Sequence, residues 1–217
     1  MEYFNLHTHK FTNQETVLEL VNQYPREFDV SIPHYSIGIH PWRIAENSLE
    51  EELQIINDKI LEINCLSIGE CGFDKRIEIP FTLQEIVFER QLLLAQKHNK
   101  PVVIHCVAAF QEVIAIKKKL KITVPMIIHG FSKNKQMAKG LIDNGFYLSF
   151  GKYLLQNPEL KTVFESIPND RFFLETDTAE VGIEEVYALA AQYKNWSLDE
   201  LKQQIKSNFA TVFKNRL

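Results

Sequence analysis

Residues 3–10 read Tyr3-Phe4-Asn5-Leu6-His7-Thr8-His9-Lys10. A short apolar run with two aromatic residues leads into two histidines one residue apart. In a β-strand alternate side chains share a face, so His7 and His9 point to one side and Leu6 and Thr8 to the other. Two imidazoles placed this way converge on a single ion, each nitrogen about 2.1 Å from it.

The pattern of an apolar run followed by a polar ligand type recurs downstream. Further runs lie at 28–32, 35–39, 66–69, 102–104, 126–128, 146–150 and 172–174. Most are rich in Ile, Val, Phe or Tyr, as buried parallel strands are. Helix-start signals fall between them. Thr12 with Glu15, Ser48 with Glu51, Thr82 with Glu85 and Ser197 with Glu200 all fit a capping box. Asn99 and Pro101 stop the helix that carries Phe88, Leu92 and Ala95, and Gly145 stops the one that carries Met137 and Leu141. The order is strand then helix, eight times over if 28–32 is a strand. Only Pro33 and His34 separate that run from the next, so half of a hairpin fits it too. Eight βα units predict an α/β chain of the small (β/α)8 TIM-type barrel class. A doubly wound sheet is the alternative, but no glycine-rich phosphate loop follows the first run. Residues 183–217 read as two helices. Leu198, Leu201, Ile205, Phe209 and Val212 form an apolar stripe that would pack on the barrel.

The chain has 217 residues, which at about 150 residues per domain predicts one domain over 1–217. Hydrophobic residues at 45% and charged residues at 24% exclude disorder, collagen and coiled coil. With 24 basic and 28 acidic residues the net charge is −4. Such a chain does not coat nucleic acid or an anionic membrane by bulk charge, so any nucleic-acid role needs a local basic patch. Cys65, Cys71 and Cys106 form neither a zinc-finger spacing nor a disulfide framework. No apolar stretch approaches the roughly 18 residues of a membrane span, and residues 1–10 are too polar for a signal peptide. A soluble cytoplasmic protein is the expectation, without membrane association.

Ligand-type side chains gather at the ends of the runs. His105 follows 102–104, His129 follows 126–128, Glu70 follows 66–69, Asp177 lies beyond 172–174, and His40 sits just past 35–39. In a barrel that end of the strands carries the active site. Parity places Val103 with His105, Ile127 with His129, Ile68 with Glu70, and Phe173 and Glu175 with Asp177. His7, His9, Glu70, His105, His129 and Asp177 from five strands point to a metal site.

Taken in order along the chain, these pieces resemble the TatD family of metal-dependent deoxyribonucleases, within the metal-dependent hydrolase superfamily. The resemblance is carried by Asn5-Leu6-His7-Thr8-His9, Gly38-Ile39-His40-Pro41-Trp42 and Ser67-Ile68-Gly69-Glu70-Cys71-Gly72-Phe73-Asp74. It continues through Pro101-Val102-Val103-Ile104-His105, Ile128-His129-Gly130-Phe131-Ser132, Leu174-Glu175-Thr176-Asp177, and Asn208 with Val212-Phe213. Asn5 stands where the family commonly has an acid. The arginine often found after the fifth-strand histidine is absent, and so is the proline after Asp177. The resemblance implies two divalent ions, one held by His7, His9, Glu70 and Asp177, the other by a shared Glu70 with His105 and His129.

Imidazole with carboxylate suits Zn²⁺, Mn²⁺ or Ni²⁺ better than Mg²⁺. Two such ions roughly 3.5–4 Å apart polarise a phosphoryl oxygen and activate water. The expected activity is phosphodiester hydrolysis in DNA, as an exonuclease on ended or single strands. A metal-dependent amidohydrolase or esterase acting on a small metabolite or an aminoacyl-tRNA is the alternative, and no obligate protein partner is expected. The catalytic candidates are Glu70 as bridge, Asp177 with one oxygen left to take a proton, and His40, not a needed ligand, toward a substrate phosphate or behind the ligands. Lys75, Arg76, Lys133 and Lys135 are the candidate substrate contacts, in a ring that includes Lys10, Arg43 and Lys152. Asp74 and Glu175 are expected to orient ligand histidines. Trp42 and Phe131 offer either rings that stack a base at the mouth or core packing.

Overall fold

A computed structural model of the chain describes residues 2–214. Residue 1 and residues 215–217, which belong to the expected domain and tail helix, lie outside it. Eight strands occur in one sheet in the order β1 to β8, the pairings recorded are parallel, and helices separate most of them. This is the (β/α)8 barrel class. The residues form two compact units, 2–21 with 128–214, and 22–127. The chain passes between them within β2 (Val17–Gln23) and β6 (Met126–Ile128).

The first unit contains β1 (Tyr3–Thr8), α4 (Lys135–Asp143), β7 (Phe146–Phe150), α5 (Lys152–Gln156), α6 (Leu160–Ser166), β8 (Phe172–Leu174), α7 (Ile183–Lys194) and α8 (Leu198–Phe213). Phe4 is its hub. The Phe4 ring meets Phe209 at 4.8 Å and Phe213 at 5.4 Å, both from α8, and Phe173 of β8 at 5.8 Å. The Tyr187 hydroxyl of α7 donates to the Phe4 carbonyl and accepts from its N–H, both at 3.0 Å. Burying each aromatic side chain stabilises by about 1.5–3 kcal/mol. The two tail helices thus pack on β1 and β8, with Leu201, Ile205, Phe209 and Val212 buried and Leu198 left at the exposed helix start. Beyond β8, Asp177 donates its N–H to the His7 carbonyl (2.9 Å), and the Thr8–Asp177 bridge is parallel. The ends of β1 and β8 are therefore laced together where the ligand candidates sit.

The second unit contains β3 (Tyr35–Ile37), α1 (Leu49–Lys59), β4 (Cys65–Asp74), α2 (Phe81–His98), β5 (Val102–Val107) and α3 (Phe110–Lys119). β4 is buried along its whole length. Its register against β5 shifts between Ile68, opposite Val102, and Cys71, opposite Ile104. Three steps on β4 match two on β5, so one extra residue is accommodated around Gly69 and Glu70. Such a bulge re-aims a side chain, and simple alternation from Ile68 does not describe Glu70. Gly69 has φ +126°, and a Cβ there would stand 2.2 Å from the Val103 carbonyl oxygen. Only glycine permits this approach.

Two expectations are corrected here. Residues 28–32 form no strand; Asp29 accepts from the Ser31 N–H (2.8 Å) and hydroxyl (2.7 Å), which folds the segment into an Asx turn. The second strand is Val17–Gln23, where a helix was expected. Thr12 does not cap toward Glu15; its N–H and hydroxyl bond the Glu19 carboxylate at 2.8 and 2.9 Å. Of the four capping boxes, Ser197 with Glu200 forms. Ser48 bonds Glu52 instead of Glu51, and α2 starts from Pro80 without a side-chain cap.

Candidate metal centre

In the first unit, β1 delivers His7 fully buried and His9 just beyond its end. Their rings lie 5.0 Å apart at 85°. Asp177 Oδ1 faces His7 Nε2 at 3.8 Å and His9 Nε2 at 3.6 Å. His129, past β6, brings its ring centroid 4.4 Å from that of His7. One donor atom each from His7, His129 and Asp177 lies within 4.8 Å of the others. Two ligands each about 2.1 Å from one ion stand roughly 3.0–3.4 Å apart, close to the 3.6 and 3.8 Å between the Asp177 oxygen and the two imidazole nitrogens.

The surroundings fix these donors. Glu175 is fully buried; its Oε1 accepts from the Gly130 N–H (2.7 Å) and faces His129 Nδ1 at 3.5 Å. A carboxylate on that side of the ring would orient the histidine so that Nε2 meets an ion. Asn5 accepts from the Thr176 N–H (3.0 Å) and donates to its hydroxyl (2.8 Å), which anchors the segment carrying Asp177. The second carboxylate oxygen of Asp177 is engaged as well. Lys152 donates from Nζ to Oδ2 at 2.9 Å and to the Thr178 hydroxyl at 3.0 Å. Burial works to raise the Asp177 carboxyl, but His7, His129 and the Lys152 ammonium outweigh it and hold it below the usual carboxylate range. His9 and Asp177 lie on the wall of an open cleft of about 420 Å³ with Lys10, Thr12 and Glu19.

In the second unit, Glu70 Oε1 stands 3.0 Å from His105 Nδ1 and 3.3 Å from His40 Nε2. The three residues offer donor atoms within 4.8 Å of one another. His105 turns Nε2 toward Asp74 Oδ2 at 3.5 Å, leaving Nδ1 and the Glu70 oxygen as a ligand pair at the expected spacing. His40 is different. Its Nδ1 accepts from the Trp42 backbone N–H at 3.1 Å, so a neutral ring carries its proton on Nε2, aimed at Glu70. His40 thus faces the carboxylate with Nε2 and not with Nδ1. Asp74 Oδ2 also accepts from the Trp42 indole N–H at 2.7 Å, and Oδ1 from the Arg76 N–H at 2.8 Å. Burial opposes the Asp74 charge, yet these bonds and His105 keep its carboxyl below the ordinary range.

Within the first unit the His129 donor atom gathers with those of His7 and Asp177, and within the second His40 stands beside Glu70 and His105. Of the seven expected face cations, four are engaged by carboxylates: Lys10 by Glu180 at 3.9 Å, Arg43 by Glu27 at 2.7 Å, Lys152 by Asp177 at 2.9 Å, and Lys75 by Glu112. Lys133 and Lys135 line an open groove of about 530 Å³ with Ser132, Asn157 and Thr162. Trp42 is 63% exposed, whereas Phe131 is 2% exposed and packs on Phe150, so Phe131 offers no stacking surface. Sequence reading missed two supports. Asn22, at the end of the unexpected strand β2, accepts the Glu70 N–H at 2.7 Å. Gln84, fully buried in the first turn of α2, accepts the Asp74 N–H and donates to its carbonyl, at 2.9 and 3.0 Å. A glutamine on the inward face near a helix start is the signal that would have found the latter.

Imidazole with carboxylate fits divalent transition metals. His7, His129 and Asp177, with His9 at the rim, would hold one ion. Glu70 with His105 would hold another. Ions there supply Lewis-acid polarisation and an activated water.

A family model described as TatD related DNase matches residues 2–214. The uncharacterized metal-dependent hydrolase YabD of Bacillus subtilis is 32% identical over 164 residues, covering 74% of this chain and 62% of that protein. An uncharacterized metal-dependent hydrolase of Haemophilus influenzae is 28% identical over 158 residues, covering 69% of this chain and 60% of that protein. The match thus spans about three fifths of the length of these two relatives. The crystal structure of YJJV, a TatD homolog from Escherichia coli K12, superposes with a TM-score of 0.82 at 20% identity, covering 98% of this chain and 97% of that one. Among the described residues no helix is long and apolar enough to cross a membrane.

Proposed function

The chain belongs to the TatD related DNase family, and on that premise we propose that it is a metal-dependent hydrolase that cleaves phosphodiester bonds in DNA, from ends or in single strands, with two divalent ions. The observation that carries the reading is the paired set of imidazole and carboxylate donors, His7, His129 and Asp177 in one unit and Glu70 with His105 in the other. The residues do the holding and orienting. Glu175 faces His129 and Asp74 faces His105, each at 3.5 Å, where they would orient the two rings, Lys152 holds the Asp177 carboxylate, and His40 faces Glu70 at 3.3 Å. The direction toward an anionic substrate is supported by the groove at Lys133 and Lys135 and by Arg76, whose side chains form no ion pair among the described residues.

The test is a screen of purified protein, supplied in turn with Mn²⁺, Zn²⁺, Ni²⁺ and Mg²⁺, against single-stranded DNA, a chromogenic phosphodiester and acyl esters and amides. Shortening of DNA that stops with chelator and returns with metal is the expected result. Turnover of acyl substrates without any of DNA would overturn the nuclease reading.

A further inference from the structure

We propose that the indole of Trp42 is a stacking platform for a nucleobase adjoining the phosphodiester under attack, a reading that rests on the DNA-directed chemistry above and specifies how the strand is gripped. Trp42 sits in the short 3-10 turn Pro41–Arg43 that follows β3. With 63% of its surface exposed, most of the ring faces solvent. Other large exposed apolar residues of the second unit differ in place. Leu61 and Ile63 lie in the loop before β4, and Ile86 and Leu93 lie on α2. Trp42 alone of these is next to the ligand candidates, its ring centroid 5.1 Å from that of His40 and 5.9 Å from that of His105.

The ring is also held still. Its N–H donates to Asp74 Oδ2 at 2.7 Å, and its backbone N–H donates to His40 Nδ1 at 3.1 Å. Asp74 is buried and is itself fixed by the Gln84 amide. An exposed indole with both its main chain and its polar edge pinned loses little entropy when a flat ring lies on it. Base–aromatic stacking is tolerant of sequence, because every base has a π-face. A polynucleotide places a base within one sugar of every phosphate, so a phosphate at Glu70 and His105 brings a base into reach of Trp42. Arg76, two residues beyond Asp74 and exposed, adds a cation on the loop that follows β4. Neither a small acyl ester nor a bare sugar phosphate has a flat heterocycle to use this surface.

The sequence holds two tryptophans, Trp42 and Trp196, so Trp196→Phe makes Trp42 the sole indole reporter. In that background dAMP and 2-deoxyribose 5-phosphate are titrated while indole fluorescence is followed, and both affinities are measured by calorimetry. dAMP should quench Trp42 and bind more tightly than the sugar phosphate by about five- to a hundredfold. Trp42→Ala should erase that difference. Trp42→Phe, which keeps a ring but loses the bond to Asp74, should retain part of it. Equal affinity for the two ligands, no binding of dAMP, or a preference that survives in Trp42→Ala overturns the platform. The nuclease reading is scored separately, by cleavage of base-bearing and abasic strands. A protein that binds dAMP through Trp42 but cuts neither strand keeps the platform and loses the nuclease. One that cuts both strands equally well keeps the nuclease and loses the platform.

Discussion

Asp177 shows how one side chain is divided between two tasks. Its Oδ1 faces His7 and His9, and its Oδ2 accepts from the Lys152 ammonium at 2.9 Å. The sequence suggested that the second oxygen would be left to take a proton from water. In the structure an ammonium occupies that direction and the carboxyl is held below its usual range, which suits a ligand better than a base. Asp177→Asn then has a defined consequence. The amide must turn its oxygen to Lys152, because its NH₂ and an ammonium both donate. The NH₂ is left toward the histidines, where it has no lone pair for a metal. Asp177→Asn is therefore expected to lose about one equivalent of metal by elemental analysis, with turnover falling in step and partly restored by excess Mn²⁺. A variant that keeps its full metal complement while losing at least about a hundredfold in rate would instead restore Asp177 as the base. At this scale the histidines and acids were legible because each follows an apolar run. Lys152 as partner to Asp177 was not, because no local spacing ties residue 152 to residue 177.

Elements carry the next level of the argument. The bulge of β4 exists because Gly69 accepts φ +126° and lets the Val103 carbonyl come within 2.2 Å of where a Cβ would be. Gly69→Ala should cost about 1–3 kcal/mol from the backbone alone, before the clash is relieved by moving Glu70. A urea midpoint within error of wild type would contradict this. At the end of α7, Lys194 donates to the Ile167 carbonyl at 2.6 Å above the rings of Phe164 and Phe172. Burial pushes its ammonium down to about 8 from 10.5, against the opposing pull of Glu165. Between pH 8 and 10.5 the unfolded chain thus binds more protons than the folded one, and stability rises with pH across that window. The stability of wild type relative to Lys194→Met, measured by denaturant titration, should grow from pH 8 to 10.5. A difference that stays flat would remove the linkage. Strand 17–23 escaped the sequence reading for a related reason. Thr12 and Glu15 have capping-box spacing, but the contact that forms is from Thr12 to Glu19, and spacing cannot rank a local bond against a tertiary one. The count of eight strands nonetheless agrees, because 28–32 has a strand-like pattern but forms a turn, whereas 17–23 has a helix-like pattern but forms a strand.

Across the whole molecule, charge decides what can approach. The chain carries a net −4, so a polyanion must be drawn by cations that are not already neutralised. The sequence located seven cations after the strands but could not say which were engaged. Lys75 is bound to Glu112 and Arg43 to Glu27, by partners 37 and 16 residues away in the chain. Lys133 and Lys135 line their groove with no ion pair among the described residues. Counterion release then separates the two classes. For single-stranded DNA each neutralised phosphate contributes about −0.7 to the slope of log K against log salt. Lys133→Ala with Lys135→Ala should make that slope shallower by about 1.4 and weaken binding most at low salt. Lys75→Ala removes a lysine together with the restraint on Glu112, and should leave the slope nearly unchanged. A small neutral ester should be indifferent to all three substitutions. If Lys75→Ala flattens the slope as much as the double variant does, the ion pair with Glu112 yields to the strand. The working patch is then the full ring read from the sequence, not the two lysines of the groove.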